Sequence, residues 1–253
     1  MRWITSPLPI FLAVYALLYA AFGVQSPFLP SLLRERGLRA DEISIVLAAG
    51  TAMRVLAGPA LGHAADRWRA HTLTLSGCAI AAAIAGLGYV TLTGLDLLLI
   101  VALVQAASLA PVVPISDALA TTAARESETG PGRRFDYGWL RAAGSASFIA
   151  GTVLSGWSPH RESLTSIIWL SGALLIAGGG AALLLPGIAR QSPATSESRA
   201  PALRDWALLL RLVMFRRILA IAALIEGSHA LNDSFAVIHW HAAGVSLGII
   251  SFL

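Results

Sequence analysis

The chain is a succession of apolar stretches, each about the length of a membrane-crossing helix, separated by short polar segments. A hydrocarbon layer about 30 Å thick takes about 20 residues of helix, and only a helix satisfies its own backbone groups there without water. Such stretches fall at 8 to 32, 43 to 62, 72 to 92, 96 to 119, 137 to 157, 164 to 185 and 217 to 240, and another begins at 247. The first is too long for the apolar part of a signal peptide and has only Arg2 ahead of it, so it reads as an uncleaved span.

Composition agrees. Charged residues make up 13% of the chain and hydrophobic residues 56%, where a soluble domain carries about 25% charged residues to face water. This excludes an ordinary soluble enzyme. The net charge of +4 is scattered between apolar stretches rather than gathered in a patch, which excludes nucleic acid as a partner and leaves the lipid bilayer. The single cysteine, Cys78, lies in an apolar run and builds neither a disulfide framework nor a metal cluster; its expected role is helix packing. No metal-ligand spacing, Ser/His/Asp arrangement or phosphate loop is present, so no catalytic or metal residue is expected.

Arginines set the expected orientation, since cytoplasmic loops retain positive charge. Twelve fall on one side (Arg2, Arg67, Arg69, Arg125, Arg133, Arg134, Arg190, Arg199, Arg204, Arg211, Arg216, Arg217) and four on the other (Arg34, Arg36, Arg39, Arg161). The N-terminus and the segment up to 216 are therefore expected in the cytoplasm of a plasma, or bacterial inner, membrane. That segment, rich in Ser, Pro, Ala and Arg, reads as a linker at 187–216 between a six-helix bundle at 1–186 and the start of a second, incomplete bundle at 217–253. A shift of 207 residues supports the division. It lays Phe28 on Phe235, Gly37 on Gly244, Ile43 on Ile250 and Ser44 on Ser251, as expected of parallel repeats in a secondary transporter.

Charges inside spans need a partner or a wet cavity. Arg54 lies in the second span, Asp117 in the fourth and Arg141 in the fifth. Asp117 and Arg141 fall at similar depth on neighbouring spans. They are readable as a substrate-binding pair, the guanidinium fork and carboxylate holding a small-molecule solute, or as a salt bridge that only pins two helices. Glu226, His229 and Asp233 follow i, i+3, i+7 spacing on one stripe of the seventh span. They form a candidate proton-coupling relay, the other reading being a wet cavity wall. His239 and His241 lie two apart, on different faces, and read as interfacial. The Tyr15, Tyr19, Phe22, Ser26 stripe on the first span reads as packing before pocket. Pro27 with Pro30, and Pro111 with Pro114, are expected to kink the first and fourth spans. Small residues such as Gly144, Ser145, Ser147, Gly151 and Gly178 to Gly180 allow close helix approach.

The segment GHAADRWRAH, from Gly62 to His71, resembles the G-x-x-x-D-R/K-x-G-R/K-R/K loop of the major facilitator superfamily. Gly62, Asp66 and Arg67 match, Arg69 stands where the second glycine is usual, and Ala70 and His71 replace the trailing basic pair. FDYGWLRAAGS, from Phe135 to Ser145, resembles the start of the fifth span in lactose-permease-like and phenylpropionate-permease-like symporters. SHALNDSFAVIHWHAAG, from Ser228 to Gly244, resembles the seventh span of the latter. The resemblance implies a gating role for Gly62, Asp66 and Arg67 and substrate contacts by Arg141 and Asp117. It implies an all-α membrane protein: the six-helix N-terminal half of a major-facilitator-type bundle plus the first span of the second half. It further implies a secondary active transporter, a proton symporter of an aromatic acid, nucleoside or sugar. Such a protein works by alternating access, driven by the proton gradient without a bound cofactor. Members have about twelve spans, so this chain reads either as a truncated product or as one that assembles with a second chain to enclose a path, the alternative function being a truncated non-transporting membrane protein or interaction partner.

Overall fold

A computed structural model describes residues 7–129, 136–157, 164–185 and 208–250. Among these the secondary structure is helical, with no strand. The helices are α1 (Leu8–Gln25), α2 (Leu29–Glu35), α3 (Ala40–Trp68), α4 (His71–Gly86), α5 (Gly88–Thr91), α6 (Leu95–Leu109), α7 (Val112–Thr129), α8 (Tyr137–Gly156), α9 (Thr165–Ala182), α10 (Val213–Ala242) and α11 (Leu247–Ile250). Most of the 187–216 linker lies outside the described residues.

Prolines do more than bend. The stretch at 8 to 32 is two helices, because α1 ends at Gln25 and α2 starts at Leu29. Pro30 inside a continuous helix would lack the N–H needed by Ser26 and press its ring on that carbonyl; at the start of α2, where N–H groups are unpaired, it is tolerated. The fourth span divides likewise at Ala110 and Pro111, with Pro114 in the first turn of α7, and the helix continues to Thr129 rather than ending near 119. The starts of α8 and α3 are held by side chains. Asp136 accepts the Gly138 N–H at 2.7 Å, and Glu42 accepts the Arg39 N–H at 2.8 Å.

Among the described residues, five segments can cross a membrane by length and composition: Leu8–Gln25, Ala40–Trp68, His71–Thr91, Leu95–Ser127 and Thr165–Ala182. The fifth and seventh expected spans, α8 and α10, have the length but are more polar. Arg141 with several Ser and Gly residues dilutes α8, and Arg216, Arg217 and Glu226 dilute α10.

Helix α1 is the centre of the packing. It lies against α8 and α9; α9 packs on α4, and α6 fits between α3 and α4. Phe11, Val14, Tyr15 and Leu18 of α1 are buried with Leu75 and Ala79 of α4, Val112 and Ile115 of α7, Leu140 of α8 and Leu175 of α9. In lipid such contacts gain from dispersion and close fit rather than from water release, which favours small residues at crossings. A Cβ on Gly23 would strike the carbonyl of Phe148, and one on Gly151 the carbonyl of Ala20. Thr152 ties the same crossing by donating to the Gly23 carbonyl at 3.0 Å.

The repeat reappears in the turns. Gly37 and Gly244, paired by the 207-residue shift, have φ of 90° and 87°. The backbone bonds around them coincide under that shift: Gly37 N–H to Arg34 and Leu38 N–H to Leu33, Gly244 N–H to His241 and Val245 N–H to Trp240. The next helix starts three residues later in both copies, at Ala40 and at Leu247.

Candidate functional site

Three helices bring a polar cluster together. Tyr15 and Tyr19 lie one turn apart on α1, their rings stacked with centroids 5.7 Å apart. From α7, Asp117 accepts the Tyr15 hydroxyl at 2.6 Å. From α8, Arg141 reaches the other Asp117 oxygen at 3.4 Å, hydrogen-bonds the Tyr19 hydroxyl and lies over the Tyr19 ring, 5.5 Å from its centroid. Tyr137, on the same helix as Arg141, packs half-buried against the core cluster that contains Tyr15. The two residues singled out in the sequence as a pair are therefore a pair. The Arg141 and Asp117 side chains keep 45% and 30% of their exposure, so the ion pair is open at the surface of the described residues rather than sealed in the packing.

The aromatic stripe continues from this cluster into a cavity. Phe22 meets Tyr19 edge-to-face at 5.8 Å and lines a cavity of about 360 Å³ with Ser26, Arg54, Gln105 and Leu175. A neighbouring cavity of about 250 Å³ shares Ser26, Leu29, Arg54 and Gln105. The stripe packs, as its spacing suggested, but Tyr15 and Tyr19 also present hydroxyls to the ion pair. Spacing on a helix cannot distinguish a ring that only packs from one whose hydroxyl is used.

In the α3–α4 loop, Asp66 bonds His71 at 2.7 Å, so a residue replacing the usual trailing basic pair supplies the partner. Arg69 ends α3 with φ 51° and ψ 38°, the left-handed conformation that suits the glycine it replaces. Arg67 is exposed and forms no hydrogen bond or ion pair among the described residues, and nothing lies within 4 Å of a Cβ built on Gly62. Glu226 and His229 are exposed on α10, with no hydrogen bond or ion pair among the described residues, and neither contacts Asp117 or Arg141. Asp233 lies on the same helix; its side chain is outside the described residues. His239 stacks edge-on against Trp240. No group of three or more His, Cys, Asp or Glu among the described residues is placed to hold a metal ion.

The family model described as "MFS_1 like family" matches residues 10–253. The chain belongs to the MFS_1-like family. Relatives of this MFS_1-like chain include the "Probable 3-phenylpropionic acid transporter" of Escherichia coli (strain K12), 26% identical over 241 residues, or 94% of this chain and 61% of the relative. The "Maltose permease" of Geobacillus stearothermophilus is 26% identical over 239 residues, 94% of this chain and 58% of the relative. The crystal structure of nucleoside transporter NupG superposes with a TM-score of 0.79 at 17% identity, over 94% of this chain and 58% of that one. A variant of NupG gives 0.78 at 18%. The MFS_1-like chain thus spans about six tenths of the length of these relatives and is an integral membrane protein. Its fold is half of a major-facilitator bundle with the start of the other half, and its family is one of transporters rather than enzymes.

Sequence reading passed over Gln25 and Gln105. Gln25 donates to Gln105 at 2.9 Å and accepts from Ser171 at 3.0 Å, and Gln105 also donates to the Ala82 carbonyl at 3.3 Å. The signal was an amide in the middle of an apolar stretch, which in lipid needs a partner as a charge does.

Proposed function

We propose that this chain forms part of a secondary active transporter, a proton symporter of a small organic solute that works by alternating access in the bacterial inner membrane, with the N-terminus and the 187–216 linker in the cytoplasm. The observation that carries the reading is the half-exposed Asp117–Arg141 pair, framed by two tyrosine hydroxyls at the end of an aromatic stripe that runs into a cavity. A sealed structural salt bridge must have its remaining donors and acceptors bonded to offset the desolvation of both charges, whereas this one keeps guanidinium hydrogens and an open face available. A solute bearing hydroxyls or a carboxylate can compete with Asp117 for Arg141 and so link its own binding to rearrangement between α7 and α8. The relatives named for 3-phenylpropionic acid, maltose and nucleosides define the solute classes to try.

On this reading Glu226, His229 and Asp233 serve proton coupling, and Gly62, Asp66 and Arg67 control the cytoplasmic closure. Its partners are the bilayer, the solute and a second chain or further segment completing the path, with no metal or cofactor beyond the proton gradient. The test is uptake of a panel of 3-phenylpropionate, maltose and uridine by cells or proteoliposomes containing the protein. Arg141→Ala is expected to abolish accumulation while insertion, followed by membrane fractionation, is unchanged. Undiminished uptake by Arg141→Ala would remove the substrate role of the pair. Accumulation that survives collapse of the pH gradient would remove proton coupling.

A further inference from the structure

Arg54 sits fourteen residues from either end of α3, a segment long and apolar enough to cross a membrane, and is exposed on the bundle; in such a segment a charge is retained only with a partner or a polar cavity. Its guanidinium forms no hydrogen bond or ion pair among the described residues, yet it lines both cavities. No carboxylate lines either cavity, and Asp117 and Asp66 are engaged elsewhere, the first by Tyr15 and Arg141 and the second by His71.

The polar groups around Arg54 are neutral, and three of them, Gln25, Gln105 and Ser171, are occupied with one another, leaving the hydroxyls of Ser26 and Thr51 beside them. Gln25 and Gln105 exchange amide bonds at 2.9 and 3.3 Å, and Ser171 donates to the Gln25 amide oxygen at 3.0 Å. All three are at least nine-tenths buried, with 8%, 4% and 1% exposure. The Gln25 amide oxygen is thereby filled by two donors, and the Gln105 amide oxygen is held by one, so both amides face each other rather than the guanidinium. Tyr89, buried on the other side, adds no negative charge while its phenol is protonated. Apart from the Ser26 hydroxyl, the remainder of the larger cavity is apolar, including Phe22, Leu109 and Leu175. At about 360 Å³ it falls in the range of sites that enclose small organic ligands.

Resting on the transporter reading above, we propose that Arg54 is the anchor of an organic-anion site: its guanidinium takes the carboxylate of a small monocarboxylic acid whose apolar body lies against Phe22, Leu109 and Leu175. An ion pair that neutralises itself, as Asp117–Arg141 does, selects poorly for net charge. An unpaired guanidinium in an otherwise neutral, half-apolar pocket selects for a single negative charge and can bind both oxygens of a carboxylate in its planar fork.

The site is read on the unmodified full chain in lipid nanodiscs. Phenylglyoxal labels arginines, and mass spectrometry of the digest reports Arg54 and Arg141 separately. With 3-phenylpropionate present, labelling of Arg54 is expected to slow at least tenfold, while the uncharged 3-phenylpropionamide leaves it unchanged. Benzoate and hexanoate complete the panel. Equal labelling with every acid, or equal protection by the amide, overturns the site. Uptake distinguishes this from the parent reading. Arg54→Gln is expected to lose carboxylate uptake more than tenfold, with partial retention in Arg54→Lys. Undiminished carboxylate uptake in Arg54→Gln discards the site and keeps transport. Protection of Arg54 without any uptake keeps the site and discards transport.

Discussion

Tyr15 donates its hydroxyl to Asp117 at 2.6 Å from a ring that is wholly buried, so α1 fixes one oxygen of the α7 carboxylate from inside the bundle. A hydrogen bond to an ionised group contributes about 1.5–3 kcal/mol. Tyr15→Phe keeps the ring and its packing while deleting only the donor. It is expected to destabilise the protein by an amount in that range, read as a lower midpoint of thermal unfolding in detergent. An unchanged midpoint would show that water replaces the phenol and that the carboxylate is not held from α1.

The ion pair itself is expected to contribute less. With 45% and 30% side-chain exposure and a separation of 3.4 Å, Arg141 and Asp117 are screened more than a sealed pair, and exposed pairs couple by about 0.2–1 kcal/mol. A double-mutant cycle with Asp117→Asn and Arg141→Gln, read by unfolding stability, is expected to give a coupling at or below about 1 kcal/mol. Uptake by both single variants is expected to fall far more than stability does. Strong coupling in stability with little change in uptake would mark the pair as a helix pin.

These two expectations also show which parts of the site were legible before the coordinates. Asp117 and Arg141 could be paired from sequence because lipid makes every charge conspicuous, and two opposite charges at similar depth have few other partners. The Gly37 and Gly244 turns were legible as a repeat because a positive φ demands the same residue in both copies. The tyrosine hydroxyls, the Gln25–Gln105 amide exchange and the isolation of Arg54 were not. Each depends on which helix faces which, and apolar periodicity is weak where both lipid and protein neighbours are apolar. The proline signals were seen at the right places, but whether Pro30 and Pro111 bend a helix or break it depends on whether another start is available one turn on, as at Leu29 and Val112.

Helix α8 approaches α1 so closely that Gly151 faces the Ala20 carbonyl with no room for a methyl group. The obstruction is backbone, which cannot rotate away as a side chain end can. Gly151→Ala is expected to destabilise the protein by about 1–3 kcal/mol, the usual penalty of overpacking. It should also weaken the Thr152 bond to the Gly23 carbonyl, which spans the same crossing. Gly180→Ala is the matched control, since a Cβ there meets nothing within 4 Å, and it is expected to be neutral or slightly stabilising through helix propensity. Similar losses in both variants would indicate a general intolerance of added methyl groups rather than a specific close approach.

Arg69 closes α3 with φ 51° and ψ 38° while its neighbours Asp66 and His71 bond at 2.7 Å across the same turn. A residue with a side chain in the left-handed region is strained by about 1–2 kcal/mol, because its Cβ crowds the following carbonyl, and glycine is free of that clash. Arg69→Gly is expected to raise the unfolding midpoint despite losing a side chain, although part of the gain is offset by the larger entropy of glycine in the unfolded chain. Arg69→Ala removes the same charge but retains the Cβ, so it is expected to give no such gain. If Ala and Gly stabilise equally, the strain lies in the arginine charge among Arg67 and the helix end and not in its backbone.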